Sequence, residues 1–266
     1  MTGARLALAA AALLLRGNAA ALDAGLSPAR LQTEVAFEQT PGARVPAEAR
    51  FRDGAAAPAP LSAWLGRRPA IVVPVYFRCP MLCPLSLEGL MKALRVLPLS
   101  VGRDFEVIVY SIDPRDGPAQ AEAKRRELVA AYRRPGSEAG WHVLTGGAAP
   151  VAALSASLGF RAVRDAAAGQ YAHAPGAVVV APDGRAARWF LGLDYSARDL
   201  RLALVEASRG RLGRWTDQAL LLCFRYDESA SRYTPAILRL LRAAAALTAV
   251  LLLGALAWAR RREGRA

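Results

Sequence analysis

Soft or switchable ligands are scarce in this chain: its 266 residues include only two histidines and three cysteines. Three cysteines, two of them four positions apart, cannot form a structural disulfide framework, which excludes a small disulfide-stapled scaffold. Aromatic residues make up only 7% of the chain, and no basic stripe interleaves with them. The net charge of +13 and pI near 10.7 therefore do not indicate nucleic acid, because the basic residues are nearly all arginine and lie along the whole length. A solvated basic surface, an anionic membrane or an acidic partner protein accounts for the charge. Hydrophobic residues reach 54%, but much of that is alanine, which overstates the core material. The length fits one ordinary domain with appendages and is too short for two large ones.

What is present centres on Val72-Val73-Pro74-Val75-Tyr76-Phe77-Arg78-Cys79-Pro80-Met81-Leu82-Cys83-Pro84. The β-branched and aromatic run predicts a buried strand, which ends in a Cys-x3-Cys pair between prolines just before a helical pattern opens at Leu85. Residues four apart share one face of a helical turn, so the two thiols converge. The unpaired N–H groups of a helix start favour thiolate over thiol there. Such thiolates serve redox exchange or soft-metal binding.

Both ends of the chain carry membrane signals. Residues 1–21 show Arg5, an apolar run from Leu6 to Leu15 and small residues at Asn18-Ala19-Ala20-Ala21, the layout of a secretory signal peptide. Such an export would put the thiols where disulfides persist. At the other end, Ala243 to Ala259 runs 17 residues without a charge between Arg242 and Arg260-Arg261-Arg262. Extended back to Ile237, with Arg239 and Arg242 snorkelling, the stretch 237–259 predicts a transmembrane helix. The arginines beyond it make 260–266 a cytoplasmic tail, so the globular part lies on the extracytoplasmic side of an inner membrane.

Between these ends, 22–60 reads as an extended lead-in with a hairpin around Phe51, 61–210 as the folded domain and 211–236 as a juxtamembrane segment. Within the domain, apolar spacing predicts a helix over Leu85 to Leu97, a strand over Phe105 to Ile112 stopped by Asp113-Pro114, and a charged helix from Pro118 to Tyr132. A strand at Trp141 to Thr145, a short helix at Ala148 to Leu158, a hairpin of Gly176–Ala181 with Ala187–Leu193 around Pro182-Asp183-Gly184-Arg185, and a helix at Ala197 to Ser208 complete it. Strands alternating with helices, then a hairpin and a closing helix, predict an α/β fold: a three-layer sandwich around a mixed sheet.

His142 beside Trp141 reads as a packing histidine of a strand, and His173 as a loop residue leading into one, where α/β folds carry functional groups. Two cysteines and one neutral imidazole, with no charged carboxylate close in sequence, suit copper as Cu(I) and tolerate Cu(II). Structural zinc would require a fourth protein ligand. Met81 is a conceivable thioether donor that packs or faces solvent on the plainer reading.

The stretch from Tyr76 to Pro84 resembles the Cys-Pro-x-x-Cys-Pro turn of the Sco/SenC proteins, thioredoxin-like copper chaperones of cytochrome c oxidase assembly. Ser111-Ile112-Asp113-Pro114 resembles the family's strand-end motif, and His173, eight positions before Ala181, falls where the family's copper histidine precedes its hairpin turn. The resemblance covers about Leu61 to Ser208. It implies a thioredoxin-like fold and a copper site of Cys79, Cys83 and His173. The implied partner is the dinuclear copper centre of oxidase subunit II, or of a related copper oxidase, with an upstream copper donor or thiol reductase. It also suggests a cis Ala174-Pro175 bond, because redox-active thioredoxin-like proteins carry a cis-proline beside their thiols. Three features depart from the pattern: Ala172 stands where an acidic residue usually precedes the histidine, the acidic motif after Asp113 becomes Arg115-Asp116-Gly117, and the anchor is C-terminal.

On this reading the chain is a metallochaperone and not an enzyme. The competing reading is a membrane-tethered thiol-disulfide oxidoreductase, in which Cys79 or Cys83 attacks a partner disulfide and the other resolves it. A third reading leaves the pair as an inert disulfide in a binding module. Cys223 is left over, near the aromatic group Phe224, Tyr226 and Tyr233, as a free or buried thiol or an intermolecular one.

Overall fold

The computed structural model describes residues 31 and 33–210 other than 55 and 167, together with 226–227, 232–233 and 248. The chain divides into two units, Met1–Gly213 and Arg214–Ala266. In the second, two short strands pair antiparallel, with Tyr226 opposite Tyr233 and Asp227 opposite Arg232. Among the described residues no helix is long and apolar enough to cross a membrane. The expected span at 237–259 lies outside the described residues save for 248, and the expected signal peptide at 1–21 and Cys223 lie wholly outside them.

The first unit is built on the predicted strand–turn–helix. Strand β4 (Ala70–Val75) is buried at all six positions, and helix α1 (Leu82–Val96) follows it. Strands β5 (Glu106–Ser111) and β6 (Trp141–Thr145) run parallel to β4, and helix α2 (Pro118–Tyr132) connects them. Antiparallel β9 (Gly176–Val180) and β10 (Ala186–Leu191) extend the sheet beyond β4. On the far side, β2 (Arg50–Asp53) pairs with β6 and with β3 (Ala59–Pro60). The resulting mixed sheet has the order β10-β9-β4-β5-β6-β2-β3. β9 pairs only with Ala70–Val72, so the sheet is open on that side at Pro74, which lacks the N–H a ladder would need.

Helix α2 packs on β6 and β2, α4 (Ala197–Ser208) packs on β9 and β10, and α1 contacts both of these helices. A side chain at Gly89 could not fit, since its Cβ would lie 1.8 Å from the Leu193 carbonyl oxygen. α1 therefore approaches the segment before α4 more closely than any other residue would permit. The core is continuous, with Val107, Ile108, Val109, Leu144, Val178 and Leu94 fully buried. Burial of this kind is the main stabilising term, about 1.5–3 kcal/mol per large apolar side chain.

Two features differ from the sequence expectation. Helix α1 opens at Leu82 rather than Leu85, because Pro84 falls in the first turn, where an amide N–H would have no intrahelical partner anyway. The segment before β9 is not a loop. Strands β7 (Phe160–Asp165) and β8 (Gln170–His173) form a hairpin that joins β1 (Ala36–Phe37) in a separate sheet of order β1-β7-β8. Helix α3 (Ala148–Ser157) packs on β7 and ends at Gly159, whose φ of +69° reverses the chain into Phe160. Phe37 and Phe160 meet edge to face at 5.2 Å.

Candidate metal centre

Two strand ends and a helix start converge on one site. β4 delivers Tyr76 to Cys79, the first turn of α1 carries Cys83, and His173 is the last residue of β8. Ligand atoms of Cys79, Cys83 and His173 all lie within 4.8 Å of one another. Cys79 is half-buried, while Cys83 and His173 are buried.

The helix start explains the cysteine pair. The Cys83 amide is among the helix N-terminal donors without an intrahelical acceptor, and it donates to the Cys79 sulfur at 3.2 Å. The Cys79 sulfur thus satisfies one of these unpaired helix-start donors, and Cys79 is held by its own amide donating to the Tyr76 carbonyl at 3.2 Å. Burial opposes ionisation of Cys79, but the Cys83 and Met81 amides outweigh it, with help from the Cys83 thiol and the Tyr76 hydroxyl, and its pKa falls below the ordinary value. Burial pushes the Cys83 thiol far up, and the neighbouring Cys79 sulfur adds to the rise. Tyr76 is raised to about 12, first by burial and then by its hydrogen bond to Cys79. One thiol is thus poised and accessible, and the other is held in reserve.

His173 faces this pair with a defined nitrogen. Its Nδ1 lies 3.2 Å from the Ala174 carbonyl, and since a carbonyl only accepts, Nδ1 carries the proton. Nε2 then presents a lone pair toward the Cys83 sulfur, 3.4 Å away. The ring packs edge-on to Tyr76 at 6.0 Å and against Phe160 at 5.8 Å. Burial lowers its pKa, more than the Ala174 carbonyl raises it, so the imidazole stays neutral and available to a metal. Two sulfurs and a neutral imidazole fit copper, while among the described residues no charged carboxylate joins them as a harder fourth ligand.

Met81 is 62% exposed at the N-cap of α1, with Leu85 44% and Leu82 36% exposed nearby on the same turn. The thioether faces solvent, and the half-exposed Cys79 has an apolar rim beside it. The Ala174-Pro175 bond, expected cis, is trans. The trans form is intrinsically favoured by ~0.5–1 kcal/mol, and here it leaves the Pro175 carbonyl placed to accept from the Gly192 amide at 3.0 Å.

His142 lies apart from this centre, on β6. Its Nδ1 is 2.8 Å from Asp53 Oδ2 and its Nε2 is 3.5 Å from Glu106 Oε2. Tyr76 and Phe160 pack on His173, contacts that no local pattern in the sequence signals. In the sequence Asp116 stands only as part of the altered Arg115-Asp116-Gly117 motif, yet its side chain accepts from the Phe77 amide at 2.8 Å and from the Ser111 hydroxyl at 2.6 Å. The available signal was Asp116 following a strand end next to the cysteine strand, but residues from adjacent strands become neighbours only once the register is known.

The SCO1/SenC family model matches residues 62–204. No curated protein matches the chain. Among solved structures, a protein from Aquifex aeolicus VF5 is 25% identical, with a TM-score of 0.57 over 65% of this chain and 96% of that one. Arabidopsis thaliana ScoI, solved with copper bound, is 17% identical, with a TM-score of 0.50 over 64% of this chain and 99% of that one. BsSco, a member of the Sco family of cytochrome c oxidase assembly proteins in which a disulfide switch was identified, is 19% identical. Its TM-score is 0.50 over 65% of this chain and 98% of its own. The two Sco structures share the mixed α/β thioredoxin-like fold with this chain.

Proposed function

This chain belongs to the SCO1/SenC family, and on that premise we propose that it is a membrane-anchored copper chaperone. Copper is its cargo, held by Cys79, Cys83 and His173 and passed to the dinuclear copper site of cytochrome c oxidase subunit II, or of a related copper oxidase, during assembly. The domain works on the extracytoplasmic side of an inner membrane, tethered by the apolar stretch 237–259 and exported by the leader at 1–21. A donor protein supplies the copper. One observation carries this reading: three soft or borderline ligand atoms from distant parts of the chain lie within 4.8 Å of one another. They are disposed for transfer. Cys83 and His173 are buried and retain the ion, while half-exposed Cys79 is the ligand an incoming partner reaches first.

A second reading has its own support. The low thiol pKa at accessible Cys79 and the high one at buried Cys83 match the attacking and resolving roles of a thiol-disulfide oxidoreductase. Anaerobic loading with Cu(I) followed by metal counting separates the two. Wild type is expected to retain one copper, and Cys79→Ser, Cys83→Ser and His173→Ala none. Full retention by His173→Ala together with intact thiol exchange would replace the chaperone with the reductase.

A further inference from the structure

We infer that Asp116, braced by Arg78, is a positioning residue that holds Cys79 at its working distance from Cys83 and His173. The consequence for metal rests on the copper-binding role proposed above. Asp116 is on the loop after β5, and its side chain is fully buried beneath the cysteine turn. One carboxylate oxygen accepts from the Phe77 amide at 2.8 Å and from the Ser111 hydroxyl at 2.6 Å. The other has no hydrogen-bond partner among the described residues. It lies 3.5 Å from Nε of Arg78, the residue immediately before Cys79.

A buried carboxylate without a full set of partners is costly and unfavourable as mere filler. Here its contacts converge on two consecutive residues, Phe77 by the main chain and Arg78 by the side chain. Arg78 also reaches Asp113, whose carboxylate lies 3.6 Å away and is clamped by Arg115 at 2.7 Å. Cys79 follows directly, and its amide donates to the Tyr76 carbonyl. Cys83 and His173 are each fixed by regular structure, in a helix and at a strand end, whereas Cys79 lies in a turn. The neighbouring strand therefore supplies, through Asp116, the rigidity that the turn lacks. Outer groups that orient metal ligands act in this way, and losing one usually weakens metal binding ten- to a hundredfold.

The test titrates the full-length protein in detergent with Cu(I) against a chromogenic Cu(I) chelator. Asp116→Ala is expected to bind copper at least about tenfold more weakly. Arg78→Met should show a smaller loss, and Asp116→Asn, which keeps an oxygen for the Phe77 amide, should recover part of the deficit. Leu154→Ala, at a buried core position on α3, is the control for simple destabilisation: it should lower Tm and leave the affinity unchanged. A second readout needs no metal. In a glutathione buffer, Asp116→Ala should shift the Cys79–Cys83 pair toward the dithiol by about threefold or more, because loosening one sulfur lowers its effective concentration at the other. If wild type takes up no Cu(I), the copper role fails, while the glutathione equilibrium still tests the positioning. Wild-type values for Asp116→Ala in that equilibrium, or an affinity loss in Leu154→Ala as large as in Asp116→Ala, would overturn the inference.

Discussion

His173 and His142 are the two histidines of the chain, both lie on strands, and burial pushes both toward the neutral form. Their surroundings reverse the outcome. His173 faces a thiol and two aromatic rings, the Ala174 carbonyl offsets the desolvation of a cation only in part, and the ring stays neutral with Nε2 open toward sulfur. His142 is flanked by Asp53 and Glu106, and Arg68 pairs with Glu106 from the other side at 2.5 Å. Burial again opposes its charge, but the two carboxylates outweigh it and raise its pKa. The same side chain is a candidate metal ligand in one place and, once protonated, a cross-brace between two carboxylates in the other. The deciding factor is the charge of the neighbours, not the depth of burial.

The largest expected effect that sharpens this contrast is on metal binding. His173→Ala should lose stable Cu(I) while His142→Ala keeps one equivalent, read by metal analysis after anaerobic desalting. Loss of copper in both variants would mean that the two sites are not independent.

Stability should run the other way. His142→Ala leaves the Asp53 and Glu106 carboxylates facing each other across β2, β6 and β5 without a cation between them. A cost of about 2 kcal/mol in urea unfolding is expected, less than for a fully buried pair because each group keeps some contact with water. His173→Ala in the metal-free protein should cost less than this.

The brace also carries a pH signature. The His142 pKa is raised in the folded protein, so its contribution is fully present below the unfolded value near 6.5 and is lost as pH rises through the folded value. Unfolding free energy measured from pH 6 to 9 should therefore fall with rising pH in wild type and fall less in His142→Gln. An identical slope in both would remove the histidinium from the account.

The smallest effect concerns the two thiols beside His173. Brief treatment of the reduced, metal-free protein with iodoacetamide at neutral pH should label Cys79 well ahead of Cys83, as read by peptide mass spectrometry. Equal labelling would show that the turn is looser than its hydrogen bonds indicate.

Much of the central fold was legible in the chain. The run Val72 to Val75, the helical spacing after Pro84, the strand at Glu106–Ser111 and the Pro182-Asp183-Gly184-Arg185 turn each carry a local period or turn signal that survives packing. β7 and β8 were not legible, because Arg161, Arg164 and the alanines after Asp165 break the alternation, and the hairpin is held by Phe160 packing on Phe37. The sequence reads His142 as a packing histidine of a strand, but its two carboxylate partners come from Asp53, 89 positions away, and from the neighbouring strand.

The sequence by itself determined that two thiols meet at a strand-to-helix turn, because a separation of four residues and a first-turn proline are local geometry. Only the tertiary structure decided that His173 joins them, in which protonation state, and that Asp116 lies beneath the turn. Cys83 and His173 are 90 positions apart, and their approach depends on strand register and on the burial of every side chain between. Those quantities exist only once the chain has packed.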